Sequence, residues 1–398
     1  VTSHLPIRPS IRPSIAAIET QQIMQVSELA LDDPNVIPLW YGESDMATPA
    51  FICDAASAAL AKGETFYTHK RGIPELRTAL ARYIEKIYGG GMDIDRITVT
   101  SSGMAAIMIA MQVLIDPGDR VVLVGPVWPN AGAAVGVMGG EAHQVPLEYG
   151  NQGWRLDIGR LFDACTENTK AIFINSPSNP TGWMMRRDEQ EAVLAFCRER
   201  NIWIIADEVY GRLVYDRPVA PSFLEIAEAE DLVLAVNTFS KNWAMTGWRV
   251  GWLTHPVVFA KPFADLIEYN TSGTPAFLQR ACVTALEDGE DVVQAMVALC
   301  REGRDIVGET LAALPGVRYR APDAAFYAFF AVDGMANSLD YAKDLVRRAG
   351  VGVAPGTAFG PEGEGWLRLC FARSPDSLRQ AMNRLGGALA NVPGSGLA

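Results

Sequence analysis

IWIIADEVY (202–210) and LVLAVNTFSK (232–241) share one form: a continuous apolar run that stops abruptly on polar and charged residues. A run that is apolar at successive positions reads as a strand buried on both faces. Further short strands are read at 97–100, 120–124, 142–145, 171–174 and 250–254, with helical patterns between them, among them 104–115 and 187–200. Seven strands alternating with helices predict an α/β fold, a mostly parallel (mixed) seven-stranded sheet sandwiched by helices. From about residue 276 the pattern changes. A long helical stretch runs to 314, followed by a strand at 327–332, a helix at 339–349, a strand at 366–369 and a helix at 376–389. This predicts a smaller α+β domain. The expected division is a large domain over 48–284, with the N-terminal segment 1–47 and residues 285–398 forming the small one. Prolines at 6, 9, 13, 34 and 38 make the first forty residues irregular, the habit of a segment that lies over a neighbour.

Composition narrows the function. Of 398 residues, 49% are apolar and 20% charged, an ordinary globular balance. Lys and Arg number 34 against 46 Asp and Glu, a formal charge of −12, which disfavours nucleic acid and anionic membrane as partners. No apolar run reaches the length of a membrane span. The six cysteines are scattered without CxxC or Cys/His ligand spacing, so no metal is expected and the thiols are expected reduced, in the cytoplasm. Neither a phosphate-binding GxxxxGK[ST] nor a strand–GxGxxG–helix occurs.

In an open parallel sheet, ligands gather at the carboxyl ends of the strands. Here those ends carry Ser102-Gly103-Met104, Trp128, Asn179, Asp207 with Tyr210, and Thr238 with Ser240 and Lys241; Arg249 follows eight residues later. Ser102, Thr238, Ser240 and Arg249 would make an anion pocket at a helix start. Trp128 offers a flat face, Asp207 a carboxylate, Asn179 and Tyr210 hydrogen bonds, and Lys241 an amine. A phosphate, a flat ring, a ring nitrogen wanting a carboxylate and an aldehyde wanting an amine together describe pyridoxal 5′-phosphate (PLP).

At these residues the sequence resembles the fold-type I, class I/II PLP-dependent aminotransferases, the aspartate aminotransferase superfamily. The segments that carry the resemblance are GESDMATP (42–49), YTHKRGIPELR (67–77), SSGMAAI (101–107), PVWPN (126–130), SPSNPTG (176–182), DEVY (207–210), TFSKNWAMTGWRVGW (238–252), TSGTP (271–275), APGTAFG (354–360) and WLRLCFA (366–372). The resemblance implies that Lys241 forms the Schiff base and carries the proton, with Asp207 on the pyridine nitrogen and Tyr210 and Asn179 on the ring oxygen. Trp128 would stack on the ring. Ser102, Gly103, Met104, Thr238, Ser240 and Arg249 would hold the phosphate, and Tyr67 would reach the phosphate of a neighbouring subunit in a homodimer. Arg368 would clamp the substrate α-carboxylate beside Gly42 and Asn179. The peptide bonds before Pro126 and Pro180 would be cis. The implied activity moves the amino group of an L-α-amino acid to a 2-oxo acid through pyridoxamine phosphate.

Other readings stay open at this point. The same pocket could serve a PLP-dependent C–S β-lyase, or another enzyme that deprotonates Cα. A regulator with an added DNA-binding domain is not expected, because the chain begins within about forty residues of GESDMATP. Substrate choice is also open. Trp40 and Tyr41 suit an apolar or aromatic side chain, whereas Lys70 and Arg71 suit an acidic one.

Overall fold

A computed structural model describes residues 11–16 and 18–390. The main sheet has seven strands: β1 (Ile97–Thr100), β2 (Arg120–Gly125), β3 (Glu141–Pro146), β4 (Thr169–Asn175), β5 (Trp203–Asp207), β6 (Val233–Thr238) and β7 (Gly251–Thr254). They lie in the order β1-β7-β6-β5-β4-β2-β3. β7 runs antiparallel to both β1 and β6, and the other pairings are parallel. β1, β5 and β7 are buried at every position. A strand sealed on both faces is largely apolar, so charged groups are left to its carboxyl end. Parallel pairing then brings those ends to one rim. Asn175 of β4 stands opposite Asp207 of β5.

A second, antiparallel sheet contains β8 (Val317–Arg318), β9 (Tyr327–Val332), β10 (Ala354–Pro355) and β11 (Trp366–Cys370), in the order β8-β9-β11-β10. The early segment is laid over this part, as its prolines predict. It forms a helix, α1 (Gln22–Ser27), and Ile37–Pro38 pairs in parallel with Val351–Gly352. Two further helices matter to the rim: α2 (Gly103–Leu114), which leaves β1, and α3 (Pro129–Met138), which follows β2.

The structure departs from the sequence reading in one helix. The stretch expected as continuous over 276–314 is two helices, Ala276–Asp288 and Glu290–Ala313, broken at Gly289. A Cβ on Gly289 would lie 2.3 Å from the Ala285 carbonyl and 2.9 Å from the Trp243 ring. The indole is packed where a side chain would go. The peptide bonds before Pro126 and Pro180 are cis as expected, and so is the one before Pro177.

Candidate active site

The carboxyl rim of the main sheet and the second sheet enclose a cavity of about 270 Å³. Gly103, Met104, Trp128, Asn179, Asp207, Tyr210, Thr238, Ser240, Lys241, Arg249, Gly42 and Arg368 all line it. Twelve positions expected at one site, spread over more than 320 residues of chain, therefore meet around one space.

Lys241 sits on a short helical turn, Phe239–Asn242, directly after β6. Its ammonium donates to the Gly42 carbonyl at 2.6 Å. Burial lowers its pKa to about 8, because a low-dielectric surround penalises the cation. Asp207 ends β5 in full burial, with one long contact from the Val209 amide at 3.5 Å. Burial pushes its pKa up to about 7, against the pull of that amide and of the Lys241 charge. A carboxylate placed so deep, with so little hydrogen bonding, is suited to a cationic partner that the protein does not itself provide.

The anion end is built from backbone. Ser102 caps α2, its hydroxyl accepting from the Ala105 amide at 2.9 Å. The helix start at Gly103 and Met104 thus faces the cavity with its positive end. β7 passes flush beneath it. A Cβ on Gly251 would lie 2.6 Å from the Gly103 nitrogen and 2.8 Å from the Asn237 carbonyl, so glycine is required by close approach. The Thr238 hydroxyl lies 3.0 Å from both Ser240 Oγ and the Val250 carbonyl, which fixes both hydroxyls at the rim. Arg249 adopts a left-handed backbone (φ 54°), and its guanidinium donates to the Thr246 carbonyl at 2.6 Å.

Opposite, Arg368 of β11 is fully buried. Its Nη1 donates to Asn179 Oδ1 at 3.2 Å and its Nη2 to the Trp40 carbonyl. Its Nε is buried with no hydrogen-bond partner. The Tyr327 ring lies 4.7 Å and the Phe359 ring 5.1 Å from the guanidinium carbon. Among the described residues, Lys241, Arg249 and Arg368 form no ion pair with any carboxylate. Three cations left unpaired in one cavity make it an anion receptor.

Asn179 is held through its own backbone. Its amide donates to Asn175 Oδ1 at 2.7 Å, its carbonyl accepts from the Trp128 amide at 3.0 Å, and Asn175 Nδ2 donates to the Asp207 carbonyl at 3.1 Å. One chain of bonds therefore sets Trp128, Asn179 and Asp207 together. Tyr210 shares a 2.7 Å hydrogen bond with Tyr327. Tyr67 stands apart: it is 89% exposed and outside this cavity. Ser102 acts on the cavity as the cap of α2.

Sequence reasoning missed Tyr327, Asn175, Ile107, Val209, Gln21 and Ile23, which also line the cavity. Tyr327 had a signal, a hydroxyl in an otherwise apolar strand, YAFFAV (327–332). Gln21 and Ile23 lie in the irregular early segment and had none. The basic pair Lys70-Arg71 does not reach the cavity. Arg71 is buried and donates to the Asp95 carbonyl and carboxylate, both at 2.8 Å. Lys70 pairs with Glu268.

The family described as aminotransferase class I and II matches residues 34–385. The aspartate aminotransferase of Pyrococcus horikoshii is 33% identical, over 95% of this chain and 97% of its own. The arginine–pyruvate transaminase of Pseudomonas aeruginosa is 33% identical, over 90% of this chain and 91% of its own. Among solved structures, a single mutant of Thermus thermophilus aspartate aminotransferase superposes with a TM-score of 0.89 at 32% identity, covering 96% of this chain and all of that one. An α/β fold with an anion receptor at the carboxyl rim of its sheet thus has a settled place: the chain belongs to the class I and II aminotransferases. It is a transaminase, moving an amino group between an amino acid and a 2-oxo acid.

Proposed function

We propose that the cavity binds PLP through Lys241 and that the chain carries out amino-group transfer there on an L-α-amino acid. The observation that carries this reading is the convergence of three unpaired cations and one under-bonded buried carboxylate on a single cavity. The donor set fits the cofactor group by group. Asp207 would meet the ring nitrogen and keep it protonated, since a buried anion favours a neighbouring cation. Gly103, Met104, Thr238, Ser240 and Arg249 would hold the phosphate, with Ser102 capping the helix whose start presents the first two. Trp128 would lie on the ring, and Asn179 and Tyr210 would bond its oxygen. When bound, PLP supplies an aldehyde that takes up the amino group and a ring that draws off the electron pair left at Cα.

The protein's part is binding and proton transfer. Arg368, with its free Nε and its guanidinium held by Asn179 and Trp40, would take the substrate α-carboxylate. Gly42 leaves space beside it, because a Cβ there would lie 2.0 Å from the Tyr327 hydroxyl. Lys241, once its amine is released, would remove the proton from Cα. With a pKa lowered to about 8, an appreciable fraction is the free base near neutrality. The Gly42 carbonyl, accepting from the ammonium at 2.6 Å, keeps that amine in the cavity.

We read residues 48–284 as the cofactor-binding domain, and 1–47 with 285–398 as the small domain that closes over it. We also read the assembly as a homodimer, in which the exposed Tyr67 reaches a neighbour's phosphate. Six free thiols are consistent with the reducing cytoplasm, and no described helix is long and apolar enough to cross a membrane. The test is an absorbance spectrum of the purified protein supplied with PLP, with single amino acids then added in turn. A visible band that moves to the near-ultraviolet with an amino acid, and is lost in Lys241→Ala, is expected. Absence of any band, or full turnover by Lys241→Ala, would sink the assignment.

A further inference from the structure

We propose that this cavity selects an amino donor with an uncharged, apolar side chain, and that aspartate and glutamate are poor donors. The inference rests on the reading just given, because it assigns the part of the cavity which that reading leaves over. The cations lining the cavity are Lys241, Arg249 and Arg368. Each already has a task there: the amine, the phosphate and the α-carboxylate. Among the described residues, what remains of the wall is Ile23, Trp40, Tyr41, Ile107, Val209, Tyr327 and the Met104 side chain, with the amides of Gln21 and Asn175; that of Asn175 is spent on the Asp207 carbonyl and the Asn179 amide. Ile23, Trp40 and Ile107 are buried. The polar atoms on this wall are turned to each other or to the protein. Gln21 Nε2 donates to Asn130 Oδ1, and the Tyr41 hydroxyl shares a 2.7 Å hydrogen bond with Ser27 Oγ.

A dicarboxylic donor would need a fourth cation. The two suggested by sequence are both engaged. Arg71 is locked to Asp95, which Arg77 also binds at 2.6 Å. Lys70 is neutralised by Glu268 and donates to the Ser272 carbonyl at 3.3 Å. Within 64–71 and 270–275, the segments a second copy would bring, the described residues therefore carry no unpaired Lys or Arg. A second carboxylate on this wall would lose water and gain no counter-charge. A leucine, methionine or phenylalanine side chain would bury apolar surface against Ile23, Met104 and Ile107.

The transfer balances without an outside oxidant. The donor's C–N bond breaks and its Cα is oxidised to the carbonyl carbon of a 2-oxo acid. A C–N bond forms on the acceptor 2-oxo acid, whose carbonyl carbon is reduced by the same two electrons.

The test uses the PLP-loaded enzyme. Single donors (leucine, methionine, phenylalanine, aspartate and glutamate) are mixed with it in turn, and the loss of the visible band gives a second-order rate constant for each. At least one apolar donor is expected to exceed both acidic ones by tenfold or more. Calorimetry with unreactive acids gives a separate reading, with 3-phenylpropionate expected to bind more tightly than maleate. Met104→Lys, which adds a cation to the wall, is expected to move the aspartate-to-leucine ratio tenfold or more towards aspartate. Acidic donors matching or exceeding the apolar ones, tighter binding of maleate, or an unchanged ratio in folded Met104→Lys would each overturn the proposal. The wild-type series decides it even where that variant does not fold. Conversion by no amino acid at all would bring down the cofactor reading, and this inference with it.

Discussion

Burial moves Lys241 and Asp207, both in the cavity, far from their ordinary ranges and in opposite senses. Lys241 binds its proton less tightly in the folded chain than in the unfolded one, so its amine is free above about pH 8. In the cofactor-free protein, amine-directed labelling of Lys241, read by peptide mass, should rise through about pH 8. Lys261, whose ammonium Asp265 holds above its usual range, should lag at higher pH. Asp207 binds its proton more tightly when folded. Its stabilising contribution is therefore complete below pH 3.8 and is lost as pH rises to about 7. Asp207→Asn removes that dependence, so its stability advantage over the cofactor-free parent should grow from about pH 4 to 7 and level off above; denaturant midpoints measured across that range check this. Gly42→Ala should cut turnover by at least about tenfold, or roughly 1.4 kcal/mol of barrier. The new methyl meets the Tyr327 hydroxyl and disturbs its bond to Tyr210. Adding Tyr327→Phe removes the clashing oxygen and should restore part of the loss, which steady-state rates on the double variant would show.

Among the elements, the tightest junction is where β7 passes under the start of α2. Gly251→Ala overpacks backbone against backbone there and should destabilise the fold by about 1–3 kcal/mol. Because the same methyl pushes on Gly103, cofactor retention should fall as well. Thermal unfolding and dialysis against buffer without PLP separate the two effects. The elements were legible in the sequence to differing degrees. Strands such as Trp203–Asp207 announced themselves because burial on both faces leaves charge to the last residue. The site residues on those strand ends were legible for the same reason. The break at Gly289 was not, because the ring packed against that glycine, Trp243, is more than forty residues away in the chain. Gln21 and Ile23 were hidden in the same way. Their place in the wall comes from how the early segment is laid across the rim, and no periodic pattern records that.

At the scale of the whole molecule, Tyr67, Phe66 and Tyr269 are more than 80% exposed in the single chain, an arrangement suited to a second copy. If Tyr67 serves a neighbour's phosphate, Tyr67→Phe should weaken PLP retention, while light scattering continues to report a dimer. A monomer at micromolar concentration would refute the shared site. The bond from Arg368 to the Trp40 carbonyl spans 328 residues of sequence. A ribosome making roughly 5–20 residues per second needs about 15–65 s to pass from one partner to the other. For that interval the nascent chain holds Trp40, and over its last part Lys241 as well, with no guanidinium to close the far wall. The apolar strands of the main sheet are therefore all made before the residue that completes the cavity, so the cavity is a property of the finished polypeptide rather than of any stage of its synthesis.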